Sequence, residues 1–302
     1  MTSGGARVGG RQVVLSNEVA IAAWNGVLFD RFVRFRHIVT AGLSAHGLRG
    51  LRLHPPRRGD RALDLGCGFG DTTRQLAGLV GPPGEAVGVD AAERFIDAAR
   101  REAAEEGIAN ARFLVADVQA CELDAGFDYA FSRFGTMFFA NPVIALRNVR
   151  RALVPGGRLC MVVWRRKLDN EWLHRAERVV EQHLTRPATT AEPTCGPGPF
   201  SMADADTTTE ILVRAGFEDI SLHRCDLEIT IGADLDEAVD FAMALGPAGE
   251  LIRLSAIQAE ARRSSIVASV HKALAELEGP DGNGVRAPAS SWVVGARSPG
   301  ES

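Results

Sequence analysis

The densest cluster of chemistry-bearing residues is Leu63-Asp64-Leu65-Gly66-Cys67-Gly68-Phe69-Gly70. A short apolar run carries an acid and then three glycines at GxGxG spacing. Glycines so placed let a backbone turn sharply after a strand and approach a ligand closely. The spacing differs from the GxGxxG of dinucleotide-binding loops. Asp64 widens that difference, because a carboxylate just before the loop suits an amino group and repels a pyrophosphate. Twenty residues past Gly70, Asp90 ends the next apolar run. A carboxylate there can accept hydrogen bonds from both hydroxyls of a ribose.

Such acids need a scaffold that gathers strand ends. From residue 61 the pattern alternates short apolar runs with amphipathic stretches. Strands are expected at 61–65, 86–89, 111–115, 127–131 and 158–164, with helices at about 71–79, 92–106 and 142–153. Asn141 and Pro142 open the last helix, and Pro155-Gly156-Gly157 stops it. Alternation of this kind implies parallel βαβ units with ligands at the carboxyl ends of the strands. Before the core, residues 17–47 read as helical. Asn17 caps a short helix that Asn25-Gly26 breaks, and Phe29, Phe32, Val33, Arg36 and Leu43 follow at helical spacing. Beyond the core, a helix over 169–184 leads into a stretch with Pro187, Pro193, Pro197 and Pro199, long enough to act as a lid or binding loop. A helix at 207–215, a strand at 221–231, two helices at about 235–245 and 250–277 and a final strand at 291–297 complete the chain. The expected fold is α/β, a Rossmann-like doubly wound seven-stranded sheet, mostly parallel with its last strand antiparallel. The expected parts are a disordered leader (1–16), a helical cap (17–56), the binding core (57–168), a helix and Pro-rich lid (169–202), and a C-terminal part (203–302) with a helical insertion at 234–278.

With these motifs in place, the sequence resembles the class I S-adenosylmethionine-dependent methyltransferases. Their glycine motif, ribose acid and post-strand acid fall on Asp64–Gly70, Asp90 and Asp117. The resemblance implies that Asp117 bonds the adenine amine, that Val118 adds a backbone contact and that Phe95 packs on the adenine. Leu153–Leu159 resembles the family's loop before strand five. Phe131–Phe139, Gly198-Pro199-Phe200 and Trp292-Val293-Val294 resemble a bacterial small-molecule branch similar to the ubiquinone/menaquinone-biosynthesis enzymes. Trp24-Asn25-Gly26 matches that branch too, in a segment that closes over the cofactor. Asp169-Asn170-Glu171-Trp172 departs from it, where a proline is expected before the tryptophan. The implied cofactor is S-adenosyl-L-methionine, released as S-adenosyl-L-homocysteine. Its expected site is Trp24, Asn25, Asp64, Gly66, Cys67, Gly68, Gly70, Thr72, Asp90, Ala91, Phe95, Asp117, Val118, Ser132 and Arg133.

The end of strand four narrows the acceptor. Ser132-Arg133-Phe134-Gly135 stands where base and amide N-methylating enzymes carry Asn/Asp-Pro-Pro-aromatic. No Pro-Cys occurs for cytosine-C5 chemistry, Ser132 replaces the acid of magnesium-dependent catechol enzymes, and the paired glutamates of protein-arginine enzymes are absent. What remains is transfer to O, N or C of a small molecule by in-line displacement. The protein must position the acceptor and exclude water. Phe134, Met137, Phe138, Trp164 and Trp172 are the expected apolar wall. On a helical wheel at ~100° per residue, Trp172, Ala176, Val179 and Leu184 share a face, with His183 near its middle and His174 opposite. If the acceptor must lose a proton early, His183 is the better candidate for a general base, but a core histidine with a satisfied hydrogen bond is the favoured reading. Arg133 suits either an anionic acceptor or the cofactor's carboxylate, or a structural ion pair.

The bulk properties agree. Of 302 residues, 46% are hydrophobic and 24% charged, and the net charge of −4 offers no basic field for nucleic acid or an anionic membrane. No apolar run reaches the ~20 residues of a membrane span, and the Gly-rich start lacks the apolar segment of a signal peptide. Five scattered cysteines without CxxC spacing and seven histidines without HExxH point to no disulfide frame and no metal site. A cytoplasmic enzyme of secondary or cofactor metabolism is expected, with a homodimer as one use of the helical insertion. The rivals are an NAD-dependent oxidoreductase and a non-catalytic module that binds S-adenosylmethionine.

Overall fold

The computed structural model describes residues 17–185, 196–279 and 284–300. The leader over 1–16 and Pro187, Pro193 and Cys195 of the Pro-rich stretch lie outside the described residues. The centre is a seven-stranded sheet in the order β3-β2-β1-β4-β5-β7-β6. Its strands are β1 (Arg61–Leu65), β2 (Glu85–Asp90), β3 (Ala111–Val115), β4 (Phe127–Arg133), β5 (Leu153–Trp164), β6 (Glu218–Gly232) and β7 (Val285–Arg297). The first five pair in parallel, and β7 runs antiparallel to both β5 and β6. The doubly wound, mostly parallel sheet with an antiparallel last strand is thus borne out.

Burial on both faces explains the near-continuous apolar character of the central strands. Along β1, Leu63 and Leu65 face the larger core beside Val87, Val89, Ala130, Leu159 and Met161. Ala62 faces the other way, towards Leu51, Leu76, Ala77 and Val80. The helices α3 (Ser44–Leu53), α4 (Asp71–Val80) and α5 (Glu93–Glu105) cover that second face. The opposite face carries α6 (Pro142–Ala152), α7 (Glu171–His183) and α8 (Ala205–Ala215). Local chemistry sets their ends. The Asn141 side chain accepts from the Ile144 N–H with Pro142 in the first turn, and Asp204 accepts from the Thr207 N–H. Gly216, at φ 90°, ends α8 in the left-handed region.

Between β6 and β7 lie α9 (Leu235–Ala244), α10 (Gly246–Leu254), α11 (Ala256–Ala261) and α12 (Arg263–Leu274). The two helices expected here are four, because the chain breaks at Ser255 and Arg262 without a glycine or proline to announce it. Helices α7, α9, α10 and α12 bundle together over the carboxyl ends of the strands.

The N-terminal cap comprises α1 (Glu18–Ala23) and α2 (Phe29–Arg34) ahead of α3. The break expected at Asn25-Gly26 is present: α1 ends at Ala23, and Gly26 leaves helical geometry. The chain continues through a π-helical turn at Trp24–Leu28, kinked at Gly26 (φ −106°, ψ −117°), and a second π turn spans His37–Gly42. Wide turns of this sort re-aim side chains and concentrate at functional sites. The cap is pinned to the core by Arg36, which donates to both oxygens of Glu102 at 2.5 Å and lies over the Phe69 ring.

Candidate active site

The strand order reverses between β1 and β4, and a crevice opens at their carboxyl ends, the place where open α/β sheets bind ligands. Two backbones meet there. A Cβ on Gly66 would lie 3.0 Å from the Gly135 Cα, and one on Gly135 would lie 2.7 Å from the Leu65 carbonyl oxygen. Only glycine permits that approach. A cavity of about 710 Å³ starts at this crevice and extends beneath the helical roof. That volume is in the range of sites that enclose small molecules.

At the crevice end the acids are held from behind. Asp90 accepts from the Gly68 N–H at 3.0 Å and from the Ala92 N–H at 2.9 Å, one on each oxygen. Each oxygen keeps a lone pair for a ligand hydroxyl. Burial raises the Asp90 carboxyl above the usual range, and the backbone donors oppose that rise. Asp64 is 1% exposed and accepts from the Thr73 hydroxyl at 2.6 Å; burial pushes it up to about 7. Its charge is thus expensive until a cation arrives. Asp117 accepts from the Gln119 backbone at 3.0 Å and from Asn17 of the cap at 3.3 Å. An aromatic cluster lines the same cavity as these acids. The Phe95 ring meets Phe29 and Phe69 at 4.9 Å each, and Trp24 bridges Phe32 at 5.3 Å and Phe138 at 5.0 Å.

The rest of the lining includes Phe134, Trp164, Trp172, Phe200 and Phe241, with Arg31, Lys167, Glu177 and Glu250 among them. Phe134 adopts φ +57°, a left-handed conformation costly for a bulky residue. That geometry turns the chain at the end of β4 and stacks the Phe134 ring on Trp164 at 4.0 Å. Behind the two rings, fully buried His46 bonds Ser291 at 2.8 Å; burial lowers it to about 4, so it is neutral. Trp172 stacks on Phe241. Lys167 pairs with Glu177 at 2.5 Å.

A family model described as a methyltransferase domain matches residues 56–216, more than half of the chain. The chain belongs to this family of methyltransferase domains. Over 114 residues it is 36% identical to the ubiquinone/menaquinone biosynthesis C-methyltransferase of Ectopseudomonas mendocina, a stretch covering 37% of this chain and 44% of that one. Less than half the length of the curated relatives is matched. Among solved structures, the YcgJ protein of Bacillus subtilis is similar over 86% of this chain and 99% of its own, with a TM-score of 0.54 at 17% identity. The phosphoethanolamine N-methyltransferase 2 of Haemonchus contortus, solved in complex with S-adenosyl-L-methionine, is similar over 95% of this chain and 61% of its own, with a TM-score of 0.56 at 17% identity. At that identity the two structures speak for the fold.

The cavity gathers most residues expected to meet the family's cofactor: Trp24, Asp64, Gly66, Cys67, Gly68, Thr72, Asp90, Ala91, Phe95, Asp117, Val118 and Arg133. From the expected acceptor wall it takes Phe134, Phe138, Trp164 and Trp172. The rest stand outside its lining. Gly70 turns at φ +73° into α4, and a Cβ there would strike the Phe113 ring and Ala99. Asn25 instead accepts from the Arg94 N–H at 3.1 Å, latching the cap to α5. The Ser132 hydroxyl is spent on the Leu65 carbonyl at 2.9 Å. Met137 is buried behind the wall, its sulfur accepting from the Trp164 N–H.

His183 stands apart from the cavity, with the satisfied hydrogen bond of the favoured reading. Eleven residues along α7 from Trp172, it lies ~16 Å further up the helix axis, outside the cavity, and bonds Ser269 of α12 at 3.0 Å. The buried stripe of α7 runs through Trp172, Leu173, Ala176, Glu177 and Val180, so the wheel placed the face slightly off. His174, expected on the solvent side, is half-buried. Arg133 pairs with Asp71 at 2.6 Å on the cavity wall. Sequence reasoning also missed Glu177, Lys167, Arg31 and Gly135. An acid at helical spacing between Leu173 and Val180 was a readable signal for Glu177. Nothing local marked Arg31, because its surroundings come from the distant insertion.

Proposed function

We propose that this chain is an S-adenosylmethionine-dependent methyltransferase acting on a small molecule held under the α7, α9 and α10 roof. The observation that carries this reading is Asp90, tethered by Gly68 and Ala92 at the switch point and sharing one cavity with Asp64, Asp117 and the far aromatic compartment. The residues fit the cofactor piece by piece. Asp90 would take the ribose hydroxyls, Phe95 the adenine face, Asp117 the adenine amine, and Asp64 the ammonium. Bound there, S-adenosylmethionine supplies an activated methyl group on a sulfonium.

The protein's part is then positioning. Phe134, Trp164 and Phe138 present flat apolar surfaces that hold an acceptor in line and keep water out. No chain residue need be alkylated. Transfer to O, N or C is consistent with this wall, and His183 has no part in it. Calorimetry tests the reading. Wild-type protein should bind S-adenosylhomocysteine at one site, and Asp90→Ala should lose most of that affinity, about 100-fold for two charge-assisted hydrogen bonds. Absence of saturable binding by the wild type would contradict it, as would preferential binding of NAD. A cavity that admits no acceptor alongside the cofactor would instead favour the non-catalytic module. The cytoplasmic setting, a role in secondary metabolism and the homodimer expected from the sequence are parts of the same proposal; light scattering in solution checks the last.

A further inference from the structure

Charge at the acceptor end of the cavity is unevenly balanced. Lys167 is paired with Glu177, Glu250 is held by Arg253 at 2.9 Å on both oxygens, and nearer the glycine loop Arg133 is paired with Asp71. Arg31 stands apart. It is half-buried on α2, one helical turn after Leu28, and lines the same cavity. Among the described residues its guanidinium makes one hydrogen bond, from Nη1 to the Ala244 carbonyl at 2.8 Å, at the end of α9. No carboxylate among the described residues lies within ion-pairing distance of it. Burial depresses its pKa, and nearby Arg253 adds to that effect while Glu250 opposes it. A second donor is unmet: Trp172 lines the cavity, is 4% exposed, and its indole N–H has no partner among the described residues. Buried donors left without acceptors are rare and point to a ligand or ordered water.

We infer that Arg31 is the anion anchor of the acceptor compartment, and that the acceptor is a flat, largely apolar small molecule bearing a carboxylate or similar oxyanion. The claim rests on reading the two ends of the cavity as cofactor end and acceptor end. The Ala244 carbonyl fixes the guanidinium and leaves its remaining N–H groups for an anion, which they can meet in a bidentate fashion. The aromatic walls accept the ring, and the Trp172 N–H offers a further bond to an anionic oxygen. The anchor spans the cap and the insertion, so acceptor binding would also tie those two parts together.

The probes are 1-naphthoate, 1-naphthamide and 1-naphthylmethylammonium, titrated calorimetrically into protein saturated with S-adenosylhomocysteine. Naphthoate should bind about tenfold or more tightly than the other two, as an otherwise unpaired charge predicts. In Arg31→Met that preference should vanish with S-adenosylhomocysteine affinity unchanged, Arg31→Lys should retain part of it, and Trp172→Phe should weaken naphthoate more than naphthamide. Equal binding of the amide or the ammonium would overturn the inference, as would no naphthoate binding at all, or a preference that survives in Arg31→Met. A fall in S-adenosylhomocysteine affinity in Arg31→Met would overturn it differently, by placing the guanidinium on the cofactor's own carboxylate. If the wild type bound no S-adenosylhomocysteine, the methyltransferase reading would fail instead, and the same naphthoate series on cofactor-free protein would still decide the anion site.

Discussion

Asp64 shows how a single side chain can couple cofactor, pH and stability. Burial raises its carboxyl to about 7, above the 3.8 of a free aspartate. A raised acid stabilises the fold fully below its unfolded pKa, and that contribution is lost as pH rises through about 7. The cofactor-free protein should therefore lose stability between about pH 4 and 7 on account of Asp64, and the Tm of Asp64→Asn should fall less than the wild type's between pH 5 and pH 8. Cofactor binding carries the opposite sign. An ammonium needs the ionised form, so S-adenosylhomocysteine should bind about tenfold more weakly at pH 6 than at pH 8. Calorimetry at the two pH values checks this, and Asp64→Asn should show a weaker, flatter dependence. At this scale the sequence exposed the crevice acids well, because a buried carboxylate at an apolar strand end is costly unless a ligand uses it. It hid Arg31, and it offered His183 as a base candidate that the cavity lining does not include. Both have one physical origin: which face of a helix looks into a cavity depends on partners remote in sequence, here α9, α10 and α12.

Among the elements, the two loops at the switch point depend on each other. Gly135 has an ordinary φ of −93°, so alanine there meets no backbone strain. Its methyl group would nonetheless sit 2.7 Å from the Leu65 carbonyl oxygen and 3.2 Å from the Gly66 Cα. Gly135→Ala should cost about 1–3 kcal/mol, read as a lowered denaturant midpoint, and should weaken S-adenosylhomocysteine binding by pushing the glycine loop out of place. Ahead of the Arg36–Glu102 pair, the start of the cap is held by weaker means. Asn17 reaches Asp117, and Asn25 reaches Arg94, which also pairs with Asp30 at 2.8 Å. Cofactor should slow hydrogen exchange in α1, and Asn17→Ala should reduce that protection. Strands β1 and β3 were legible to the residue, since short apolar runs there are bounded by turns on both sides, although β3, at the sheet edge, buries only Phe113. Strands β6 and β7 proved longer than their apolar cores, because backbone pairing between them carries on through Val285–Ser290, where side chains alternate in exposure. The π turns left no readable signature of their own, although Asn25-Gly26 did mark the break at Gly26.

For the whole molecule, the sheet, cap and insertion enclose one cavity, so a ligand that fills it contacts all three. Among the described residues no helix is long and apolar enough to cross a membrane. Occupancy at 100 times the Kd should add about 2.7 kcal/mol to stability, a rise of several degrees in Tm that Asp90→Ala should lack. The fold class was legible as a whole because alternation of strands and helices leaves few arrangements open. The acceptor was not, since its compartment is assembled from the cap, β4, β5, α7 and the insertion, five stretches with no shared motif. A crystal structure of the protein grown with S-adenosylhomocysteine would decide where the cofactor sits. The ribose hydroxyls should lie within hydrogen-bonding distance of Asp90, the adenine against Phe95 beside Asp117, the amino group at Asp64, and the sulfur facing the Phe134–Trp164 compartment. A ligand bound elsewhere, or one whose sulfur points away from that compartment, would contradict it.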